Sequence, residues 1–462
     1  MRRKKLIPGF NEQILADVFS DAVSLKSEAP YAARIEIPVE EKSLRRWLAA
    51  QPHPEKMYWR DRDGVFECAC LGAADYLFAS DGGDPETLFA EMAPWLTFAH
   101  PRLRYYGGFC FDPARGLQDP WQAFGSYRFV LPRFELVRMG EIRLMACNAL
   151  IRGDTAADRR EIEAVCAGFS QIRWEVDEWA EAGSVRVTGR TDNPKRGPWI
   201  RRVNAALNAC EGGRFDKVVL ARRTDLQMSG PVDPWRVLDR LADHTRGAYL
   251  FCFQPGPGKA FLGASPERLW KRAGGYVQSE AIAGTRPRGG SSSADRELGD
   301  ALMHNDKELR EHRFVAEGIR TVLQLVCDTM REDDGVSLIR LPNCQHLARR
   351  YEGLLADGYE DLDLLRAFHP TPAVGGTPSA EALSWIRETE PFDRGWYAGP
   401  VGWIGYDSSE FAVAIRSGLI AGNTVHAFAG AGIVPGSVAA AEWDELNNKI
   451  QPFLDALNGH AG

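Results

Sequence analysis

Two pairs of glutamates, each spaced to share one helix face, are the residues best suited to chemistry. They are Glu308 with Glu311, and Glu442 with Glu445. Side chains three residues apart are neighbours on a helix, so each pair presents two carboxylates in the same direction. Four carboxylates with no cysteine and one histidine nearby suit a hard cation such as Mg²⁺ better than zinc. The alternative is a solvated face on which the acids pair with neighbouring basic residues, as most such pairs do.

The element that must position the first pair is a helix. Apolar residues recur at the 3.6-residue period through 313–330, and Glu311 and Glu308 continue the same stripe upstream. Its apolar members are Val315, Ile319, Val322, Leu323 and Val326. Carboxylates on an inward face cost free energy unless a cation or hydrogen-bond donors meet them. The pattern therefore predicts a helical run over 313–330 whose upstream acids have a partner elsewhere in the fold.

A lysine and a further glutamate stand where acid–base chemistry is possible. Lys217 opens the apolar run 217–222. It is either a surface lysine whose stem covers the strand or a desolvated amine able to take a proton. Glu267 follows Pro266, which fixes a turn between two apolar runs. Glu267 either pairs with Arg268 or is a buried acid with a raised pKa, suited to protonating a leaving group.

Several later positions could hold an anion. Gly284 and Thr285 form a corner at the end of a predicted strand, where backbone N–H groups and a hydroxyl can bind a carboxylate. Arg416 interrupts another predicted strand, either as a surface charge or as an inward guanidinium. The corner 430–432 lacks the G-x-G-x-x-G spacing, so we reject a dinucleotide loop there.

Composition excludes several classes of partner. The 462 residues carry 56 basic and 63 acidic side chains, a net charge of −7, with no basic stripe beyond 1–5. Nucleic acid is therefore not an expected partner. No run approaches the roughly 18 apolar residues that cross a bilayer, and the N-terminus lacks a signal-peptide core. We expect a cytoplasmic protein without membrane contact, whose nine scattered cysteines are reduced thiols.

The chain divides into three stretches by pattern. Residues 1–151 are sheet-rich, 152–198 form a helical and polar seam, and 199–457 hold the candidate residues. In the first stretch, the glycine pair at 107 and 108 favours tight packing over a binding loop. In the last stretch, 369–378 is a shaped loop. Three closing strands are predicted at 396–404, 410–420 and 424–434.

Eight ordered motifs resemble the chorismate-utilising enzymes. They are KVVLAR at 217–222, GASPERL at 263–269, AIAGTRPRG at 281–289, DKELREH at 306–312, HPTPAVGGTP at 369–378, GWYAGPVGW at 395–403, FAVAIRSGLI at 411–420, and AGAGIV with EWDELNNK within 429–449. Any one motif is weak, whereas eight in order are specific. The resemblance is strong over 195–457 and looser before that. It implies an α+β fold, a single large domain in which two large packed β-sheets are flanked by helices.

Within that family, residue choices separate the reactions. Lys217 resembles the lysine that activates water in isochorismate and salicylate synthases, where the amine-adding relatives carry glutamine. Ala283 stands where aminodeoxychorismate synthases have a nucleophilic lysine, and Ala373 resembles isochorismate synthases. The resemblance thus implies an isochorismate synthase, most like the menaquinone-pathway type. The alternatives are a salicylate synthase, a siderophore-pathway isochorismate synthase, and a non-catalytic anion-binding subunit.

The resemblance also implies roles for the candidate residues. Mg²⁺ is bound by Glu311 and Glu445, with Glu308 and Glu442 holding its waters; Lys217 is the base and Glu267 the acid. The remaining residues bind chorismate or position it. They are Gly284 and Thr285 at the ring carboxylate, Tyr397, Arg416, Gly430, Gly432 and Lys449 at the enolpyruvyl carboxylate, and His369 as a positioning residue. No glutaminase subunit is expected, and relatives of this kind are often monomers.

Overall fold

The computed structural model describes residues 12–24, 30–40, 43–175, 185–340 and 344–458. Within these ranges it describes every side chain except those of residues 12, 20–24 and 285.

Eleven α-helices lie in these ranges, with 3₁₀ turns at Pro113–Arg115 and Trp121–Ala123. The helices are α1 Glu12–Ser24, α2 Leu44–Ala50, α3 Pro85–Met92, α4 Thr155–Ser170, α5 Arg196–Glu211, α6 Pro234–His244, α7 Ser292–Met303, α8 Asp306–Val326, α9 Asp361–Phe368, α10 Ser379–Thr389 and α11 Ala439–Asn458. Within the same ranges, no helix has the length and apolarity needed to span a membrane.

Twenty strands occur in the described part of the chain. They are β1 Tyr31–Pro38, β2 Lys56–Arg60, β3 Phe66–Ala79, β4 Arg104–Phe109, β5 Tyr127–Met139, β6 Ile142–Ile151, β7 Val187–Asn193, β8 Lys217–Met228, β9 Tyr249–Gly256, β10 Lys259–Ser265, β11 Arg268–Ala273, β12 Tyr276–Pro287, β13 Cys327–Glu332, β14 Ser337–Arg340, β15 Cys344–Leu355, β16 Gly376–Thr377, β17 Pro400–Gly405, β18 Ser408–Val413, β19 Ser417–Ala421 and β20 Thr424–Ile433.

The strands form one antiparallel network with two arms that share β5. The first arm runs β1-β6-β5-β3-β2-β9-β10-β19-β20-β8, with β7 and β16 both paired to β8. The second runs β5-β4-β17-β18-β11-β12-β15, with β13 and β14 both paired to β15. The expected α+β class is confirmed, and the two expected sheets are these arms. The pairs β2–β9 and β4–β17 join the first half of the chain to the second.

The inner faces of the two arms meet in an aromatic and polar core. Trp396 contacts the rings of Phe253 and Phe261, with centroid distances of 5.6 and 6.3 Å. Tyr249 of β9 reaches the other arm, where its hydroxyl donates to Glu410 of β18 over 2.9 Å. Because buried polar groups need partners, this bond fixes how the arms sit against each other.

The helix expected at 313–330 is correct in type and wrong in extent. Helix α8 begins at Asp306, where the side chain of Asn305 accepts the N–H of Glu308 over 3.0 Å. It ends at Val326, because the next six residues form β13 and pair with β15. Strand pairing thus overrides a helical apolar period that continues for another turn. The acids therefore lie in the first turns of the helix.

The strands expected at 396–404 and 410–420 are also wrong in extent. Residues 396–399 form a turn before β17, and Ala398 in that turn has a positive φ of 65°. The second stretch is two strands, β18 and β19, because Arg416 between them has a φ of 52°. A non-glycine residue in the left-handed region is sterically costly and cannot continue a strand. The left-handed conformation of Arg416 turns the backbone there and separates β18 from β19.

The structural interpretation of the glycine pair is confirmed. Gly107 and Gly108 lie inside β4 between β17 and β5. A Cβ at Gly107 would overlap the carbonyl of Arg128, and one at Gly108 would lie 2.8 Å from the carbonyl of Pro400. No disulfide joins any of the nine cysteines, all of which lie within the described ranges.

Candidate active site

A cavity of about 90 Å³ lies where strands β8, β12 and β20 meet helices α8 and α11. Ten of the predicted site residues line it. They are Lys217, Glu267, Gly284, Glu308, Glu311, Tyr397, Arg416, Gly430, Glu445 and Lys449. A larger cavity of about 500 Å³ adjoins it, and the two share five lining residues, namely Pro266, His346, Arg416, Glu445 and Lys449. Residues separated by more than 200 positions in sequence thus meet around one space.

Lys217 is fully buried at the start of β8. Its side chain is 0% exposed, and its Nζ lies 3.2 Å from Oε1 of Glu311. Nζ has no hydrogen-bond partner in the described part of the chain, so the contact with Glu311 is an ion pair by distance alone. The neighbouring Thr377 in β16 pairs with Lys217 through the backbone. Lys217 is therefore a desolvated amine and not a surface lysine whose stem covers the strand.

Glu267 is a buried acid in the turn between β10 and β11. Its residue surface is 6% exposed, and no described residue bonds to its carboxyl group. Burial raises the pKa of Glu267 to about 8; Lys217 and Lys449 oppose the shift, and Glu280 adds to it. The carboxyl group is thus protonated at neutral pH and can donate that proton. The sequence alternative of a pair with Arg268 is wrong, because Arg268 instead bonds the hydroxyl of Tyr249.

The acids of α8 meet basic residues that are distant in sequence. Glu308 accepts a hydrogen bond from Arg286 over 3.1 Å, and Glu311 faces Lys217. Burial, with help from Glu311, raises the pKa of Glu308. Gly284, with a φ of 75°, lies so close that a Cβ there would be 3.1 Å from Oε2 of Glu308. The inward-facing interpretation of this pair is therefore the correct one.

The acids of α11 are divided between the cavity and the protein interior. Glu445 lines the cavity and pairs with Lys449 over 2.5 Å. Burial alone would raise the pKa of Glu445, but the charge of Lys449 lowers it to about 2. Glu442 is 1% exposed and pairs with Lys307 of α8 over 2.7 Å. The Glu442–Lys307 pair ties the two acidic helices together.

The four carboxylates fit a hard cation by their chemistry. Three of them line one cavity, and all eight oxygens are hard donors. Oε2 of Glu442 is buried without a hydrogen-bond partner in the described residues, so it remains available as an acceptor. Among those residues, no three acidic, histidine or cysteine side chains converge around one point. Each carboxylate is instead matched with one basic group, which offsets the cost of its burial.

One side of the cavity is suited to an anion. Arg416 lines the cavity and donates from one nitrogen to the backbone carbonyl of Lys449 over 3.2 Å. Lys449 also donates to the carbonyl of Gly430 over 2.8 Å. The ring of Tyr397 stacks on Phe428 with a centroid distance of 5.1 Å. Two cations and a buried phenol on this side can bind a carboxylate.

Gly432 and His369 are placed differently from the expectation. Gly432 acts by having no side chain, since a Cβ there would overlap Oε1 of Glu311 and lie 2.9 Å from Cε of Lys217. His369 does not line the cavity and instead bonds the carbonyl of Phe111 over 3.0 Å. Burial lowers the pKa of His369 to about 4, so it is neutral there. The side chain of Thr285 lies outside the described side chains.

Sequence reasoning missed which basic residues pair with Glu308 and Glu442. Arg286 follows the Gly-Thr corner, and Lys307 precedes Glu308, yet the structure pairs Lys307 with Glu442 rather than with its neighbours. His346 of β15 also lines the cavity and contacts the carbonyl of Gly284 over 3.2 Å. In the sequence, Arg286 is marked only by its place in the motif AIAGTRPRG at 281–289. No local pattern marks His346.

Comparison with known proteins gives matches over nearly the whole chain. Residues 19–458 match the family described as "Chorismate binding enzyme". Isochorismate synthase MenF of Bacillus subtilis (strain 168) is 37% identical over 422 residues, 87% of this chain and 88% of that protein. The salicylate biosynthesis isochorismate synthase of Pseudomonas aeruginosa is 37% identical over 364 residues, 78% of this chain and 75% of that protein. The structure of MenF, the menaquinone-specific isochorismate synthase from Escherichia coli, has a TM-score of 0.81 at 30% identity, covering 96% of this chain and 99% of that one. The resemblance inferred from the eight motifs is confirmed.

The protonated state of Glu267 has a consequence for stability that needs no substrate. A carboxyl whose pKa is raised from 4.5 to about 8 binds its proton more tightly in the folded than in the unfolded chain. The protonated carboxyl stabilises the folded state fully below about pH 4.5, and this stabilisation is lost as pH rises to about 8. For Glu267→Gln, urea unfolding between pH 5 and 9 should show wild-type stability falling relative to the variant, by on the order of 4 kcal/mol across the window. A constant difference across these pH values would mean that Glu267 is ionised when folded.

Proposed function

Because the chain belongs to the chorismate-binding enzyme family, we propose that it is an isochorismate synthase, an isomerase that converts chorismate reversibly into isochorismate. Water adds at C2 of the ring, the double bonds shift, and the hydroxyl at C4 leaves as water. The observation that carries this proposal is that a buried amine, Lys217, and a protonated carboxyl, Glu267, line the same cavity.

Lys217 is the group that takes a proton from the attacking water. Its Nζ is buried, with no described hydrogen-bond partner, so it can bond a water molecule in the cavity. The proton moves to Nζ as the water oxygen forms its bond to C2. Water as nucleophile needs no ammonia-supplying subunit.

Glu267 supplies the second proton. With a pKa of about 8 it is protonated at neutral pH, and it passes this proton to the C4 hydroxyl as the C4–O bond breaks. One water enters and one leaves, and one proton is gained by Lys217 as another is lost by Glu267. The reverse reaction uses the same groups with exchanged roles, as microscopic reversibility requires.

The carboxylates of the substrate need fixed positive groups on both sides. We assign Arg416, Lys449 and Tyr397 to the enolpyruvyl carboxylate, because the two cations lie on one side of the cavity with the phenol. Gly284 supports the ring carboxylate, and Thr285 follows it on the same strand. Since the substrate carries two negative charges among acidic side chains, these cations also limit its repulsion.

Mg²⁺ is the cofactor that this donor set would hold. Glu308, Glu311, Glu442 and Glu445 would hold it through carboxylate oxygens, some of them through water. When bound, the cation supplies positive charge for the ring carboxylate. The acids of α8 and α11 must therefore exchange part of their pairing with basic side chains for pairing with the cation.

We place the reaction in menaquinone biosynthesis. The similar structure from Escherichia coli is menaquinone-specific by its description and covers nearly the whole chain, and the Bacillus subtilis relative is also a MenF. The relative from Pseudomonas aeruginosa belongs to salicylate biosynthesis at the same identity but over less of the chain. Deleting the gene should abolish menaquinone and leave salicylate-derived compounds unchanged. The opposite result would assign the protein to the other pathway.

The reaction itself is tested by product analysis. Purified protein incubated with chorismate and Mg²⁺ should give isochorismate, identified by chromatography and mass, without release of pyruvate. Lys217→Ala should lower turnover at least about 100-fold, because the base is removed, while its melting temperature shows that the chain still folds. Salicylate with pyruvate as end products would identify a salicylate synthase. Substantial isochorismate production by the variant would remove Lys217 as the base.

The metal assignment is tested by direct binding. Glu311→Gln keeps the shape of the side chain and removes its charge, so Mg²⁺ affinity measured by calorimetry should fall about 10- to 100-fold. Glu317→Gln is the matched control, since Glu317 lies on the same helix and is exposed. Its Mg²⁺ affinity should equal that of the wild type. An unaltered Mg²⁺ titration for Glu311→Gln would exclude Glu311 as a ligand.

A further inference from the structure

We propose that Arg62, in the first half of the chain, is a positioning residue for the catalytic acid Glu267. The inference rests on the proposed function only for the role of Glu267 as acid. Arg62 lies in the turn between β2 and β3, about 200 positions before Glu267 in sequence. It touches neither the cavity nor any group that we assign to the substrate or the metal.

The peptide unit that joins Pro266 to Glu267 is held from both sides. Its carbonyl, on Pro266, accepts a hydrogen bond from Nη1 of Arg62 over 3.3 Å. Its N–H, on Glu267, donates to Oγ of Ser265 over 3.2 Å. The following carbonyl, on Glu267, accepts from the N–H of Val413 over 3.1 Å. The backbone of the acid is therefore fixed by three bonds, and Arg62 makes the one that comes from the first half of the chain.

Arg62 is itself fixed by Glu280 of β12. Nη1 of the guanidinium donates to Oε1 of Glu280, and Nη2 donates to Oε2 over 2.9 Å. The side chains are 14% and 1% exposed. A two-point contact between planar groups sets direction as well as distance. The same strand β12 carries Gly284 to the cavity, so Arg62 links the turn of the acid to the strand of the ring-carboxylate site.

The turn that carries Arg62 is rigid. The N–H of Asp61 donates to the carbonyl of Phe66 over 2.9 Å, and the side chain of Asp61 accepts the N–H of Val65 over 2.9 Å. Strand β2, which leads into the turn, pairs on both sides, with β3 and with β9. The position of Arg62 is therefore set by the sheet.

Backbone support is what this particular acid requires. Because no described residue bonds the Glu267 carboxyl, nothing at the side-chain end fixes its direction. A proton donor must lie within hydrogen-bond reach of the leaving oxygen, and a displacement of about 1 Å can lower the rate about 100-fold. Loosening the Pro266–Glu267 peptide should therefore slow chemistry while leaving substrate binding nearly unchanged.

The test compares Arg62→Met with a matched variant, Arg133→Met. Arg133 also bonds one carboxylate with two nitrogens, to Glu161 over 2.7 and 3.1 Å, and one backbone carbonyl, that of Ala73, over 3.2 Å. Its side chain is 16% exposed, and it does not line the cavity. Arg62→Met should lower kcat about 10- to 100-fold with KM within about threefold, and Arg62→Lys should fall between it and the wild type. Arg133→Met should keep kcat within about twofold.

Two outcomes would overturn the proposal. The first is an unchanged kcat in Arg62→Met. The second is an equal loss of kcat in Arg62→Met and Arg133→Met when the two variants show an equal drop in melting temperature. Crystal structures of both variants test the positioning without turnover: the Glu267 carboxyl should be displaced or take several conformations in Arg62→Met alone. A wild-type protein that makes no isochorismate would refute the proposed function, and the crystal structures would still decide the role of Arg62.

Discussion

The pairing of each buried carboxylate with a basic side chain is the interaction on which the site depends. Without partners, charges held away from water would cost several kcal/mol each, and breaking a buried pair leaves one charge uncompensated. The partners of Glu308, Glu311, Glu442 and Glu445 come from four different elements, namely β12, β8 and the two acidic helices themselves. Three of the four pairs therefore also join different elements, whereas Glu445 and Lys449 both lie on α11. Lys307 with Glu442 joins α8 to α11, and Lys217 with Glu311 joins α8 to β8.

The sheet makes room for these pairs by omitting side chains. Strand β20 runs beside β8, and its residue opposite Val219 is Gly432. Any Cβ at Gly432 would occupy the space where Lys217 and Glu311 meet. Strand β12 has a register shift between Ala283 and Thr285, and Gly284 takes a positive φ there. That conformation, costly for other residues, brings the backbone against Glu308. Strand β12 thus supplies both space, at Gly284, and charge, at Arg286, whereas β20 leaves space for Lys217 of β8.

Local periodicity in the sequence predicts part of this site, whereas contacts between distant residues leave almost no local signal. The apolar stripe of α8 placed Glu308 and Glu311 on the inward face, because a helix repeats regularly. The same stripe placed the end of the helix too late, since pairing of β13 with β15 is invisible from local pattern. Arg416 was recognised as an interruption, but its left-handed φ was not readable from residue type. Arg286 and Arg62 meet their acids through the sheet topology, which no spacing in sequence encodes.

The proposed acid, Glu267, and the proposed base, Lys217, meet one constraint in opposite ways. A group that moves a proton must keep its reactive end unoccupied by the protein, yet it must be held in place. Lys217 is held along its length, since its side chain is fully buried at the start of β8, and its Nζ has no hydrogen-bond partner in the described residues. Glu267 lies in a turn, where side-chain packing alone gives less restraint, and its backbone is bonded on three sides. Because the bond from Arg62 comes from the sheet-rich first half, that half does more than complete the core. It supplies part of the rigidity that the proposed catalytic acid, lying on a turn, does not obtain from its own neighbours.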